Sequence, residues 1–594
     1  MSASSSIIFD AVTQKNIDHW LEGQYDEKTK NQVRQLLRED PKQVLDAFYT
    51  NLTFGTGGMR GLMGVGTNRM NFYTIRATTQ GLANYMLQQP IQAGLYHAAF
   101  VGYDSRHQSR EFAEETAKVF AGNGIQVYLF KQLRPTPVVS FGCRDKKCLA
   151  AVMITASHNP PAYNGYKVYW SDGGQVVPPH DQGIIAEVLK ITDPSMVKKV
   201  EYLDDILIKE VETEVDEKYL DAITTLQNYP EINRKEGHRL KVVYTSLHGT
   251  GITMVPHALQ RWGFETPLYV DKQIIPDGSF PTISYPNPEE QDALSMGIDV
   301  MMANEADLLI ATDPDADRMG VAIRHQGEAV LLNGNQIAAI FLAHVCKALA
   351  QQQRLPDRAA FIKTIGTTEL FQAICHAYER PCFNVLTGFK YIAEKIHDWE
   401  QTPDGYQYIF GGEESYGTLL GTYTRDKDAV VASALVCEVA LQAKLQNKTL
   451  VDYLHDLYHT YGIYEELLFS INFGETKEGK EQMKLGMQRL RKTHLSEIDG
   501  IPVIAVEDYQ ASTRYELKTD QTQVLILPIS DVLLYWLEDG SKVMIRPSGT
   551  EPKVKLYCGV VEKTFSSIPE GLKNCQKRCE RLIEAVKQQM MRSY

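Results

Sequence analysis

Thr155-Ala156-Ser157-His158-Asn159-Pro160-Pro161 sets a serine at the end of an apolar run, Leu149–Ile154, and two prolines then stop the chain from continuing as helix. A serine held on such a stiff loop suits a nucleophile or a phosphate carrier. Lys167, ten residues on in Asn164-Gly165-Tyr166-Lys167, offers an acid, a base or a positive charge to the same place. The segment also reads as a polar turn with a structural hydroxyl, and as part of a serine hydrolase. Against the hydrolase, His158 is the immediate neighbour of Ser157 and poorly placed to take its proton, and the G-x-S-x-G elbow is missing.

A second loop, Asp313-Pro314-Asp315-Ala316-Asp317-Arg318, follows the run Asp307–Ala311. Three carboxylates at alternate positions can converge on one hard cation, and magnesium takes oxygen ligands from a few carboxylates plus substrate phosphate. An EF-hand is excluded, because Arg318 stands where its glycine belongs and Arg324 where its bidentate glutamate belongs. The bland alternative is a solvated acidic turn, in which three crowded acids repel one another unless a cation is present. A third loop, Arg546-Pro547-Ser548-Gly549-Thr550-Glu551-Pro552, combines an arginine, two hydroxyls and a glycine-exposed backbone into an oxyanion cradle, or is an ordinary Pro/Gly turn. A fourth, Gly411-Gly412-Glu413-Glu414-Ser415-Tyr416-Gly417, places Glu413 and Ser415 where they suit sugar hydroxyls. Gly55-Thr56-Gly57-Gly58-Met59-Arg60-Gly61 is glycine-rich with one arginine, but no Gly-Lys-Ser/Thr follows, so it is not a Walker motif.

Short apolar runs and helical patterns alternate around these loops. Ala98–Tyr103, Ile125–Phe130 and Leu149–Ile154 read as strands, with a helix over Ser109–Phe120. The alternation returns at Leu240–Arg261, Ala306–Ile310, Phe361–Tyr378 and Tyr408–Phe410. This predicts α/β units with mainly parallel sheets. Beyond about Leu457 the strands Val524–Leu527, Val543–Ile545 and Val554–Val560 and a last helix, Leu572–Met591, read as a separate α+β domain. Residues 1–50 read as helices with Trp20, Leu21, Leu36, Leu37 and Leu45 as apolar points. The polar stretches Lys198–Glu217 and Gly327–Gly334 are candidate boundaries.

The chain has 594 residues, 43% hydrophobic and 23% charged, enough for several soluble domains. A net charge of −13 argues against a general nucleic-acid binder yet leaves room for a local basic pocket. The start, MSASSSIIFDAV, lacks a basic n-region, and no run approaches the ~20 apolar residues of a membrane span. Nine scattered cysteines without a C-x-x-C pair point to a reducing cytoplasm.

With these loops in this order, the chain resembles the α-D-phosphohexomutase superfamily from about Gly55 to the last helix. Asn164-Gly165-Tyr166-Lys167-Val168-Tyr169-Trp170 and Pro179-His180-Asp181 look like the branch of bacterial phosphoglucomutases and eukaryotic phosphoglucomutase-2 or phosphopentomutase-like enzymes. The resemblance implies three related α/β domains plus a C-terminal α+β domain around a central cleft. The expected spans are 51–205, 206–326, 327–456 and 457–594, after a helical extension over 1–50. It implies Ser157 as phosphoserine and magnesium on Asp313, Asp315, Asp317 and a phosphoserine oxygen. Arg60 and Arg318 would lie near that phosphate, with His158 beside it and Lys167 as acid/base. Gly388, Phe389 and Lys390 would help choose the sugar, and Glu413 and Ser415 would take its hydroxyls. Arg546, Ser548, Gly549 and Thr550 would grip the phosphate that does not react. The expected reaction interconverts glucose 1-phosphate and glucose 6-phosphate, with mannose phosphates as further substrates and glucose 1,6-bisphosphate as activator and intermediate. A phosphopentomutase acting on ribose or deoxyribose 1-phosphate and a glucose 1,6-bisphosphate-forming relative are the alternatives within the group. A serine hydrolase and a non-enzymatic sugar-phosphate sensor are the alternatives outside it. The expected partner is a phosphosugar, with neither nucleic acid nor membrane; no oligomeric state is indicated.

Overall fold

The computed structural model describes residues 9–55, 57–91, 94–474, 477–548 and 552–592. The chain divides into two compact units. The first comprises residues 1–332, 389–405 and 417–444, and the second 333–388, 406–416 and 445–594.

The first unit begins with helices α1 (Ala11–Glu22), α2 (Glu27–Glu39) and α3 (Pro41–Phe48). Each starts at an aspartate, Asp10, Asp26 or Asp40, whose side chain accepts first-turn backbone N–H groups. They close over Ile17, Trp20, Val33, Val44, Ala47 and Phe48. Leu45, expected among the apolar points, is exposed instead, because α3 turns Val44, Ala47 and Phe48 inward and leaves Leu45 on the opposite side.

Six strands follow: β1 (Gly58–Leu62), β2 (Tyr96–Tyr103), β3 (Gln126–Phe130), β4 (Cys148–Ile154), β5 (Tyr163–Trp170) and β6 (Ile208–Val211). They form one sheet in the order β1-β5-β4-β2-β3-β6. The charge-dense stretch 198–217 thus supplies an edge strand, β6, which pairs with β3. A second sheet contains β7 (Val242–Thr245), β8 (Leu268–Tyr269), β9 (Leu308–Thr312), β10 (Met319–His325) and β11 (Glu328–Leu332), in the order β11-β10-β9-β7-β8. The polar stretch near Gly327 is the turn between β10 and β11. The parallel expectation holds for β4-β2-β3-β6 and for β9-β7-β8. It fails for β1/β5, β4/β5, β9/β10 and β10/β11, which are antiparallel. For the consecutive pairs β4/β5, β9/β10 and β10/β11 the cause is loop length. The connections after β4 and β9 are too short for the crossover that parallel neighbours need, so each strand folds straight back on itself. Two of the loops singled out for chemistry, Thr155–Ala162 and Asp313–Arg318, are therefore tips between paired antiparallel strands.

In the second unit β12 (Ala359–Thr364) pairs in parallel with β13 (Cys382–Val385) and β14 (Gln407–Gly412). β15 (Thr418–Leu420) belongs to the first unit. The C-terminal part of the second unit is antiparallel: β16 (Ile463–Asn472), β17 (Glu497–Ile498), β18 (Ile501–Asp508), β19 (Thr513–Glu516), β20 (Gln521–Val524), β21 (Leu533–Leu537), β22 (Lys542–Pro547) and β23 (Lys553–Glu562). Its order is β16-β23-β22-β21-β18-β19-β20, with β17 beside β18. The last helix, Ile568–Met591, packs on β16 and β23. The strand expected over Val524–Leu527 ends where that run begins, and Val524 and Ile526 are exposed beyond a hairpin edge. No described helix is long and apolar enough to cross a membrane.

Candidate active site

Ser157 stands just past the buried strand β4 in a left-handed backbone conformation, φ +53°. An L-serine does not choose that conformation unaided, and such strain persists only where the surroundings over-determine it. Here they do. The Ser157 N–H donates to Thr155 Oγ1 at 2.8 Å. The Arg106 guanidinium donates to the carbonyls of Ser157 (2.7 Å), Pro160 (2.8 Å) and Tyr163 (3.0 Å), and also to that of Asn159. Arg106 is itself buried, ion-paired to Asp104 at 3.4 Å and stacked 4.9 Å from the Phe280 ring. Five donors in one rigid fork suit it to gathering several carbonyls of one loop.

The serine hydroxyl donates to Asp313 Oδ2 at 3.0 Å. Asp313 Oδ1 in turn accepts the backbone N–H groups of Asp317 and Arg318, each at 3.0 Å. Asp313, Asp315 and Asp317 are fully buried, and one oxygen from each lies within 4.8 Å of the others. Lys167 Nζ donates to Asp315 Oδ2 at 2.8 Å and to Asp317 Oδ2 at 3.0 Å. Lys427 Nζ lies 3.1 Å from Asp317 Oδ2, and Thr136 Oγ1 donates to Asp315 Oδ2 at 2.8 Å. Asp315 Oδ1 and Asp317 Oδ1 remain buried without a hydrogen-bond partner.

Burial opposes ionisation of all three acids, and the outcome differs by neighbour. Asp313 is pushed well above the ordinary carboxylate range by burial and then by the charges of Asp317 and Asp315. Asp315 and Asp317 stay below that range despite burial, because Lys167 serves both and Lys427 also serves Asp317. Lys167 is raised: burial would lower it, but Asp315 and Asp317 outweigh burial, so it stays protonated. His158 Nδ1 lies 3.4 Å from Ser157 Oγ, and its ring is pushed down to about 2 by burial and by the charges of Arg318 and Arg60, so it is neutral. Orphaned carboxylate oxygens, close carboxylates and a serine hydroxyl are an all-oxygen donor set that fits a hard divalent cation.

Arg60 reaches the same loop from β1, donating to Asn159 Oδ1 at 2.8 Å. Gly58 permits this, since a Cβ there would come within 2.0 Å of the Tyr166 carbonyl on β5. Arg318 donates to Glu289 Oε1 at 2.8 Å and approaches Asp317 Oδ1 at 3.9 Å.

The expected residues Ser157, His158, Lys167, Arg60, Arg318 and the three aspartates thus gather in one place. Phe389 lies in the same unit, its ring 6.0 Å from Lys427 Nζ. Lys390 is buried beside it, lowered by burial, and lines a cavity of about 480 Å³ with Trp170, His180 and Glu394. Gly388, Glu413, Ser415, Arg546 and Ser548 belong to the second unit. Gly388, at φ +124°, turns the chain into the helix Phe389–Gln401. Glu413 is buried at the end of β14, in a loop anchored by Thr364 Oγ1 donating to Glu414 Oε2 at 2.6 Å. Arg546 lies half-buried on β22 opposite Lys555, and the Ser548 N–H donates to the Lys553 carbonyl at 2.7 Å. Gly549 and Thr550 lie outside the described residues.

Sequence reasoning missed Arg106, Asp104, Thr136 and Lys427. Asp104-Ser105-Arg106 and Arg134-Pro135-Thr136-Pro137 follow β2 and β3 at their carboxyl ends, where open α/β sheets place ligands, and that position was the available signal. Lys427, in Arg425-Asp426-Lys427-Asp428, had none, because acid–base alternation is common on surfaces.

The patterns described as phosphoglucomutase/phosphomannomutase alpha/beta/alpha domains I, II and III match residues 51–195, 217–327 and 333–461. A phosphoglucomutase of Staphylococcus aureus (strain USA300) is 37% identical over 555 residues, covering 93% of this chain and 97% of that protein. A putative phosphomannomutase from Thermus thermophilus superposes with a TM-score of 0.65 at 20% identity, over 91% of this chain and 99% of that one. The open form of the Paramecium phosphoprotein pp63/parafusin, a phosphoglucomutase, superposes at 0.67 with 16% identity, over 92% and 96%. These two structures share the fold.

Proposed function

This chain belongs to the phosphoglucomutase/phosphomannomutase family, and we propose that it interconverts glucose 1-phosphate and glucose 6-phosphate through a phosphorylated Ser157. The observation that carries the reading is the Ser157 hydroxyl, strained out on a clamped loop and held 3.0 Å from a carboxylate of the buried aspartate triad. In this reading the phosphoserine gives its phosphoryl group to the free hydroxyl of a glucose monophosphate. The resulting glucose 1,6-bisphosphate turns over and returns its other phosphate to Ser157.

Phosphoryl transfer is catalysed mainly by positioning and by neutralising charge on the transferring group. Asp313, Asp315 and Asp317, with a phosphoserine oxygen, would hold magnesium, which supplies that neutralisation when bound. Arg106 fixes the carbonyl of Ser157 and those of the loop that follows it, so the phosphate stays on one line of approach. Arg60 and Arg318 offer positive charge beside it. Lys167, held protonated between Asp315 and Asp317, is placed to give a proton to the sugar oxygen, and takes one from a sugar hydroxyl only after it has given its own away. Neutral His158 adds a hydrogen bond next to Ser157 Oγ without competing for the phosphate as a cation. We assign Glu413 and Ser415 to sugar hydroxyls, Gly388-Phe389-Lys390 to sugar choice, and Arg546, Ser548, Gly549 and Thr550 to the phosphate that does not react. Binding energy from that distant phosphate then orients the reacting end.

Intact mass of the purified protein before and after glucose 1,6-bisphosphate tests the mechanism: one phosphoryl group is gained and maps to Ser157. An unmodified Ser157 in protein that turns over glucose 1-phosphate overturns it. The ratio of kcat/KM for glucose 1-phosphate and ribose 1-phosphate tests the sugar, and a clear preference for ribose overturns the glucose assignment while leaving Ser157 in place.

A further inference from the structure

The helix Lys477–Lys492 carries six basic and two acidic residues in a chain whose net charge is −13. One of its faces, Lys480, Met483, Lys484, Met487, Gln488 and Arg491 at spacings of three and four, lines a cavity of about 430 Å³. Asp531, Pro547 and Ser548 contribute to the facing wall, so the cavity reaches the loop that begins at Arg546. All of these residues belong to the second unit. The volume lies in the range of sites for small organic molecules and exceeds what a single phosphate group fills.

The charges along this cavity are unequally answered. The Arg491 guanidinium donates to Asp508 Oδ1 at 3.4 Å and to Asp531, the one carboxylate among the lining residues described. Lys480 and Lys484 are exposed, and among the described residues neither has an ion pair or a hydrogen bond. Four residues apart on one helix face, two like charges repel each other. An anion taken up beside them removes that repulsion and answers both. Met487, buried, and Met483, half-buried, add apolar surface that suits a carbon skeleton carrying the anion.

We propose that Lys480 and Lys484 form an anion subsite, contiguous with Ser548, that takes the second phosphate of an organic bisphosphate whose first phosphate lies at Arg546 and Ser548. The subsite rests on the reading that Arg546 and Ser548 hold a substrate phosphate, and it adds the class of ligand that this end of the molecule prefers. A sugar monophosphate held at Ser548 has no group to offer the two lysines. A bisphosphate does, and the methionines cover part of the carbon chain between its phosphates. The second unit thereby distinguishes the bisphosphate from the monophosphates through contacts that involve neither Ser157 nor the aspartate triad.

The test measures binding by calorimetry at fixed magnesium, on the full chain carrying Ser157→Ala so that no phosphoryl group moves. The probes are glucose 1,6-bisphosphate and glucose 6-phosphate. Adding Lys480→Gln and Lys484→Gln together should weaken the bisphosphate about tenfold or more and leave the monophosphate within about twofold, since two charge-assisted contacts are lost from one ligand only. Both lysines are exposed and glutamine is as good a helix former, so the fold is retained. Arginine at both positions keeps the charge and should keep the bisphosphate affinity. A selective loss smaller than about threefold, or an equal loss for both probes as general electrostatic attraction would give, overturns the subsite. The mechanism is read separately, by phosphate on Ser157 of the chain without substitutions, so its failure and that of the subsite are told apart.

Discussion

Among the described residues, one cluster of buried charge in each unit invites comparison, and the two are built oppositely. At Ser157 three carboxylates face Lys167 and Lys427, and two carboxylate oxygens have no hydrogen-bond partner. In the second unit two ammonium groups face one carboxylate. Lys542 Nζ donates to Glu369 Oε1 (2.7 Å) and to the carbonyls of Thr367 (2.9 Å) and Ile365 (3.0 Å). Lys363 Nζ donates to the same Glu369 oxygen at 2.9 Å. Lys542 comes from β22 of the C-terminal sheet and Glu369 from the helix after β12, so the second cluster fastens two layers of its unit. Burial of charge alone therefore does not mark a site. A cluster whose groups satisfy one another holds structure together, whereas one left with unanswered oxygens of a single sign awaits a ligand of the other sign.

The largest contrast between the two clusters should come from Ser157→Ala. Mutase turnover should fall by at least about 10⁴-fold, since no neighbouring group carries the phosphoryl, while urea unfolding stays within about 1 kcal/mol of wild type. Near-normal turnover with glucose 1,6-bisphosphate present would remove the first cluster from the chemistry. Next comes Asp313→Asn, which keeps an oxygen for the Asp317 and Arg318 N–H groups but removes a charge crowded by Asp315 and Asp317. Turnover should drop by roughly 10³-fold, in the range of removing one preorganised electrostatic group, while metal-free stability holds or rises. A large loss of metal-free stability would show that this cluster is as closed as the other.

Glu369→Gln is the converse experiment. It leaves two buried ammonium groups without their counter-charge and should cost about 3–5 kcal/mol in denaturant unfolding, with turnover below the melting range close to wild type. Arg546→Ala should cost about 1.5–3 kcal/mol in kcat/KM for glucose 1-phosphate, the worth of one charge-assisted phosphate contact. Unchanged kinetics would make Arg546 a turn residue only.

The smallest effect is on pH dependence. Burial alone would raise Glu369, but Lys363 and Lys542 override it and hold the carboxyl down at about 2, against an ordinary value of 4.5. A depressed carboxylate contributes stability fully above its unfolded value and loses it as pH falls toward the folded one. Unfolding free energy should therefore decline between about pH 5 and pH 2, and the decline should flatten in Glu369→Gln. Parallel pH curves for the two proteins would mean that Glu369 is not the titrating group.

Both regions also show what a sequence exposes and what it hides. The aspartate triad was legible because its carboxylates lie within five residues: Asp313, Asp315 and Asp317 need only one tight turn, closed by the Ala316 N–H to the Asp313 carbonyl at 2.9 Å, to come together. The Lys363–Glu369–Lys542 cluster was not, because Lys542 stands 173 positions from Glu369 and nothing local distinguishes it from a surface lysine. The same holds around Ser157. Ser157 announced itself through its prolines, while Arg106, which clamps the loop from 51 residues away, did not.

Local information was enough for the alternation of strands and helices, for the buried runs that become β4, β9 and β22, and for the short polar loops at their ends, since these follow from periodicity and from residues that stop a helix. It was also enough to say which loops carry acid, hydroxyl and guanidinium groups. Packing of distant segments was needed to converge Arg60, Lys167 and Lys427 on one set of aspartates, and to make Lys363 and Lys542 share Glu369. A charge has no preferred partner until burial removes water as the alternative, and burial is a property of the packed chain as a whole.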